Sequence, residues 1–167
     1  MIVISCMIIA GIFFEDLKIK NLIEQNGKHN GEKNAASSET ASQPARRLPE
    51  SLWNNRILIK KYHNKGAMLN LGQHRSSVVA ALSVILCILM TAAFLLSFCT
   101  RGNNLLRIGL SLLLGGSFSN TYDRLKRKYV VDYFSFNVKC RGIRRIVFNI
   151  SDFCIMFGAL LAVLGTP

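Results

Sequence analysis

The sequence predicts an all-α membrane protein, a bundle of four transmembrane helices with a small β-structure on one membrane face. Three observations carry that expectation. Half of the 167 residues are apolar, and they gather in long runs instead of alternating as in a soluble domain of this length. Residues 78–98 (VVAALSVILCILMTAAFLLSF) run for 21 positions without a charge or a proline. At 1.5 Å per residue they make a helix of about 31 Å, enough to cross the hydrocarbon core. The third observation is charge: 21 Lys and Arg against nine acids give +12, and the basic residues lie between the apolar runs. No recognition motif accompanies them, so anionic lipid headgroups are the expected contact and nucleic acid is not.

The elements follow in order. Residues 1–14 (MIVISCMIIAGIFF) are apolar and then meet Glu15 and Asp16, without the basic start and small-residue cleavage site of a secretory signal. By helical rise they reach only about 21 Å, short for a span. Residues 1–17 are taken as a first helix, packed at an angle or shortened by a start lying upstream. Residues 26–50, rich in Ser, Ala, Asn and charge, have nothing to bury and are expected to form a flexible insert. Residues 52–75 read as a surface β-region, where RILIKKYH suits a short strand and NKGAMLNLG supplies a turn glycine and another apolar edge.

Helix 2 is residues 78–98, and a short polar turn leads to helix 3 at 104–118. Arg107, near the start of helix 3, is expected to snorkel to the headgroups. Gly109, Gly115 and Gly116 give the same helix a face for close packing in lipid. Residues 120–145 are polar and basic, an active-site loop carrying the extended piece YVVDYFSF. Residues 146–164 make helix 4, with Asn149, Ser151 and Asp152 in its first turns. The whole of 1–167 reads as one membrane domain.

The chemistry centres on three carboxylates. Asp123, Asp132 and Asp152 are the only acids after Glu50. Asp132 and Asp152 would lie near one membrane face if helices 3 and 4 are antiparallel neighbours. An ionisable group at the edge of a bilayer is costly and points to function. Two close carboxylates in a low dielectric cannot both ionise, so one keeps its proton, and the pair can polarise a peptide carbonyl and activate a water between them. Such a pair titrates as a unit, with no separate acid and base. The bland alternative is that each aspartate caps a helix or pairs with one of the many cations. Asp123, followed by Arg124, reads as a structural pair. Asn120 and Asn149 could donate to carboxylates or to substrate carbonyls, or simply cap helices.

Other chemistries have less support. The five cysteines form no CxxC pair, and His29, His63 and His74 show no HExxH spacing, so neither a disulfide framework nor a metal centre is expected. No lysine lies inside an apolar span, which disfavours a serine–lysine peptidase.

GGSFSNTYDRLKRKYVVDYFSF followed by FNISD resembles the lipoprotein signal peptidases (signal peptidase II), whose pattern is GGxxGNxxDRxxxGxVVDF and then FNxAD. The resemblance implies that Asp132 and Asp152 form a catalytic dyad. It implies supporting roles for Gly116, Asn120, Asp123, Arg124 and Asn149. Upstream, Asp16 and Lys20 resemble the family's DxxxK. The run from Asn64 through Gly66 to Ala67 resembles the NxGAAF segment of its surface β-cradle. Departures are Ser119 for glycine, Lys128 for glycine, Ser151 for alanine, Leu17 for glutamine, Met68-Leu69 for alanine-phenylalanine, and the longer 26–50 segment.

The resemblance further implies an aspartic endopeptidase that removes the signal peptide of bacterial prolipoproteins before the diacylglyceryl-cysteine. No metal or cofactor is implied, since water is the nucleophile. Prolipoprotein and membrane lipid are the partners, and a monomer is expected. An edge strand around 56–63 or 129–136 could add to the substrate backbone. Charge and family disagree on orientation. Residues 15–77 carry eleven Lys and Arg and 119–147 carry eight, against two around the turn between helices 2 and 3. The positive-inside bias would put the aspartates in the cytoplasm. The family arrangement puts the site near the outer face of a multi-pass protein of the bacterial cell membrane, and we follow it because the motif match is the more specific signal; long loops also translocate with less regard to charge. The alternative is a non-catalytic membrane protein of the same fold that binds lipid or lipoprotein, for which Lys128 and Ser151 are the best support.

Overall fold

The polar residues after Phe14 continue the first helix. In the computed structural model, which describes residues 1–33, 51–52, 56–66, 75–99, 103–138 and 146–166, α1 runs Ile2–Lys33. Its expected end at residue 17 is corrected, and the reason is local. Glu15 pairs with Lys18 at 2.7 Å and Asp16 with Lys20 at 2.7 Å, three and four residues apart, the spacings at which helical side chains meet. Asp16, Lys20 and Ile23 turn inward and are buried. The expected 26–50 insert therefore begins with helix as far as Lys33, and residues 34–50 lie outside the described residues.

Among the described residues three further helices follow: α2 (Ser76–Leu96), α3 (Asn104–Lys126) and α4 (Ile150–Leu164). α2 is apolar throughout, yet among its side chains only Cys87 and Phe94 are buried, while Val78, Leu82, Ile88 and Leu96 are among those exposed. A soluble core helix would hide those groups. An apolar surface all round a helix of membrane-spanning length is the pattern of a lipid-facing span. Among the described residues α2 is the helix long and apolar enough to cross a membrane, and α4 is a shorter apolar helix.

α3 packs against α1, α2 and α4, and its sequence explains why it can. A Cβ placed on Gly116 would lie 2.5 Å from the Ser151 carbonyl oxygen, and one on Gly158 2.5 Å from the Leu113 nitrogen. α3 and α4 thus run antiparallel with backbones touching, the small-residue packing that lipid favours. Gly115 does the same toward Ile9 and Ile12 of α1. Phe94, Leu110 and Leu114 fill the space between helices. α3 also outruns its expected end at residue 118. The polar residues Ser119, Asn120 and Asp123 are buried on its inward face, so this part of the expected 120–145 loop is helix. Arg107 reaches back to the end of α2. Its guanidinium donates to the Ser97 carbonyl at 3.1 Å and lies over the Phe98 ring.

A three-stranded antiparallel sheet sits beside the helices, in the order β1 (Ser51–Leu52), β2 (Ile57–Asn64), β3 (Val130–Phe136). Residues 67–74 and 139–145 of the expected β-region and loop lie outside the described residues. β2 is the middle strand, which corrects its expected role as an edge over its first two residues, Ile57 and Leu58, where β1 pairs with it. The outer edge of β3 is partly taken too, because the Tyr133 and Phe134 amides donate to the Phe148 carbonyl. On one face of β3, Val131 and Tyr133 pack with Ile19 and Ile23 of α1. On the other face lies Asp132, followed by Phe134 and Phe136, whose rings meet Phe148 and Phe153.

Candidate active site

Three asparagines assemble the site. α4 begins at Ile150, not at residue 146, because Asn149 is its N-cap. The Asn149 Oδ1 accepts from the Asp152 amide at 3.0 Å, and the Asp152 Oδ2 accepts from the Asn149 amide at 3.1 Å. This reciprocal capping box fixes the Asp152 carboxylate at the third helical position, where the exposed N–H groups of the first turn favour negative charge. The capping role expected as the bland alternative for both residues is therefore real.

The rest of the geometry exceeds capping. The Asn149 Nδ2 donates to the Asp132 Oδ1 at 2.7 Å and the Asn120 Nδ2 to the Asp152 Oδ1 at 3.0 Å. Asn64, on the same face of the sheet as Asp132 and offset from it by two residues, donates its Nδ2 to the Asp132 Oδ2 at 3.1 Å. All four oxygens of Asp132 and Asp152 thus accept an amide N–H. A link of 3.2 Å from the Asn149 Nδ2 to the Asn120 Oδ1 joins the two halves. Burial pushes the Asp132 carboxyl up to about 7, with the Asp152 charge as the next cause, against the lowering effect of the Asn64 and Asn149 hydrogen bonds.

The cations go to other acids. Lys20, wholly buried, reaches the Asp16 Oδ2 at 2.7 Å and the Asp123 Oδ2 at 3.1 Å. Asp123 also pairs with Arg127 at 3.1 Å. The expected Asp123–Arg124 pair is corrected: on a helix, adjacent residues diverge while those four apart meet. Arg124 instead donates to the Gly66 carbonyl at 3.2 Å and to the Asn120 carbonyl at 3.3 Å. Gly66 in turn donates its amide to the Asn64 Oδ1 at 3.0 Å, so Arg124, Gly66 and Asn64 brace the donor that faces Asp132. Gly116 acts by size, admitting the α4 backbone at Ser151, one residue before Asp152.

Sequence reasoning missed part of this arrangement. Tyr133, next to Asp132, donates its hydroxyl to the Asp16 Oδ1 at 2.9 Å and accepts the Ile150 amide at 3.0 Å. Burial, and then the Asp16 charge, push the Tyr133 phenol up, so it stays a donor. Ser119 and Ser151 both donate to the Asp16 Oδ2, at 2.6 and 2.5 Å. The available signal was a hydroxyl at motif positions whose usual residues carry none. A separate cluster ties α1 to the sheet, where Glu24 meets Lys61 at 2.7 Å and the His63 Nε2 at 2.6 Å.

Comparison with known proteins agrees with this architecture. A family model described as Signal peptidase (SPase) II matches residues 8–166. The chain is 33% identical over 99 residues to a lipoprotein signal peptidase of Moorella thermoacetica, covering 59% of this chain and 61% of the relative. It is 31% identical over 98 residues to that of Clostridium acetobutylicum, covering 59% and 62%. The chain therefore spans about three fifths of the length of these curated relatives. Two solved structures described as a bacterial membrane enzyme share the fold. One has a TM-score of 0.67 at 20% identity, covering 98% of this chain and 87% of its own; the other has 0.66 at 21%, covering 98% and 92%. With the family model matched over nearly its whole length, the chain belongs to the signal peptidase II family.

Proposed function

We infer that the protein is an aspartic endopeptidase of the bacterial cell membrane, which cuts the signal peptide from prolipoproteins before the diacylglyceryl-cysteine. One observation supports this above the others. Asp132 and Asp152 are held by neutral amides and share Asn149, whereas Lys20 and Arg127 pair with Asp16 and Asp123, and Arg124 donates to the Gly66 and Asn120 carbonyls. A carboxylate locked to arginine or lysine is held ionised and cannot take up a proton near neutral pH. The dyad pair has that freedom.

The mechanism follows from the proton count. With one proton on the pair, the protonated carboxyl hydrogen-bonds the scissile carbonyl oxygen while its ionised partner takes a proton from a water lying between them. Attack gives a tetrahedral intermediate whose oxyanion is neutralised by the first acid, and proton return to the nitrogen completes cleavage. The amides of Asn64, Asn120 and Asn149 hold both carboxylates without fixing which one carries the proton.

In this reading α1 to α4 are four spans, the sheet forms a cradle at the membrane surface near the outer face, and a single chain suffices. The acyl chains of the substrate stay in lipid beside the exposed apolar faces of α2 and α4, which avoids the cost of moving them into water. The non-catalytic alternative loses its support. The Ser151 hydroxyl turns toward Asp16, away from the dyad, and Lys128 is an exposed residue beyond α3. Mass spectrometry of products from the purified protein in lipid provides the test. The expected result is one cut directly before a diacylglyceryl-cysteine, with an unlipidated substrate left intact. No cut, or an equal cut in both substrates, would overturn the proposal.

A further inference from the structure

Ser119, Tyr133 and Ser151 come from α3, β3 and α4, and their hydroxyls converge on one buried carboxylate of α1. Asp16 accepts from Ser119 at 2.6 Å, Ser151 at 2.5 Å and Tyr133 at 2.9 Å, besides the 2.7 Å contact with Lys20. Both serines and Asp16 are at most 1% exposed and Tyr133 is 4% exposed, so water does not replace these donors. In the motif pattern given above, the three positions hold glycine, phenylalanine and alanine. This chain has placed a hydroxyl at each, and all three meet the same group.

The consequence runs through Lys20. Its ammonium has three N–H groups and four acceptors within reach: Asp16 at 2.7 Å, Asn120 Oδ1 at 2.9 Å, and Ser119 Oγ and Asp123 at 3.1 Å. The contact to Asn120 matters most for chemistry. By occupying Oδ1, Lys20 turns the Asn120 Nδ2 toward the Asp152 Oδ1 at 3.0 Å. Hydroxyls that satisfy Asp16 leave Lys20 free to share itself with Asn120. Tyr133 adds a strut, since its oxygen also accepts the Ile150 amide at the start of α4 and so ties the strand bearing Asp132 to the helix bearing Asp152.

We propose that Ser119, Tyr133 and Ser151 are positioning residues, which hold Asp16 and Lys20 so that Asn120 presents its N–H to Asp152 and the two dyad carriers keep their spacing. This rests on the peptidase reading above. Losing one hydroxyl draws Lys20 toward Asp16, releases the Asn120 amide and misaligns the pair, while the surface that meets substrate is unchanged.

The test uses near-isosteric variants that keep volume and remove the strong donor: Ser119→Cys, Ser151→Cys and Tyr133→Phe. Ser83→Ala, which removes a hydroxyl bonded within α2, serves as the control. Steady-state cleavage of a diacylglyceryl-modified substrate should show kcat lowered on the order of tenfold in each of the three. KM should stay within about twofold, and the control should match the parent. Tyr133→Phe, which leaves the ring packing intact, keeps the test meaningful if a cysteine variant fails to fold. Parent-like kcat in the three variants, or a change confined to KM, overturns the proposal and leaves the peptidase reading standing. A parent protein that does not cut at all sinks the peptidase reading itself, and the positioning role with it.

Discussion

At the scale of single residues, the buried Asp132 carboxyl works against stability. That carboxyl is raised to about 7 in the fold, whereas in an unfolded chain it titrates at about 4. The folded state therefore binds more protons between those values, and folding stability falls as pH rises through that window. Asp132→Asn removes the buried charge, so it should melt higher than the parent above pH 7, with a gain on the order of 1–3 kcal/mol. The gain should vanish below about pH 4, where both side chains are neutral. Thermal melts in detergent across that range provide the check, and a variant less stable at high pH would contradict the burial argument. Lys128 offers a second case. Its φ of 68° lies in the left-handed region where side chains are strained, which accounts for a glycine in the motif pattern at that position. Lys128→Gly should stabilise the fold by about 1 kcal/mol without altering turnover. Both aspartates and all three asparagines were legible in sequence, but the hydrogen bonds that separate a dyad from two capped or ion-paired acids were not. Sequence shows which groups exist, while the partner of each buried charge depends on a few tenths of an ångström between distant segments.

At the scale of elements, the apolar runs located the four helices of the described residues, because long apolar runs are a strong signal. Their ends were less legible. α1 and α3 continue well past their apolar segments because each buries polar residues against the other: Lys20 with Asp123, Ser119 with Asp16. A hydropathy pattern stops where a polar core begins. The start of α4 was misplaced for the opposite reason, since residues 146–148 are apolar but not helical, with Phe148 bridging to Phe134. Packing at this level carries its own prediction. A methyl on Gly116 would meet the Ser151 carbonyl oxygen at 2.5 Å, so Gly116→Ala must push α4 away and carry Asp152 with it. Overpacking of this kind costs about 1–3 kcal/mol, and a displacement approaching 1 Å at a catalytic group costs on the order of 100-fold in rate. Cleavage assays should show the larger loss in kcat. Parent-like turnover in Gly116→Ala would mean the α3–α4 contact is not what places Asp152.

At the scale of the whole molecule, Asp132 and Asp152 lie where sheet, capping loop and helix bundle meet. β3 supplies Asp132, α4 supplies Asp152, α3 supplies Asn120, and the last residue of β2 is Asn64. No two of these four are neighbours in the chain, and only Asn149, the cap of α4, lies close in sequence to one of them, which is why a 167-residue sequence displays the parts of the site without displaying the site. The orientation proposed here puts this junction near the outer leaflet despite the basic loops. A single cysteine placed at exposed Val138, in an otherwise cysteine-free protein, should react with a membrane-impermeant thiol reagent added outside intact cells. Labelling only after the inner face is opened would reverse the placement. The central claim is that Asp132 and Asp152 act as one catalytic unit, and turnover of the two single variants tests it most directly. Asp132→Asn and Asp152→Asn should each fold, bind substrate and cut at no more than about a thousandth of the parent rate. If either one cleaves prolipoprotein at the parent rate, the dyad is not the engine of this protein.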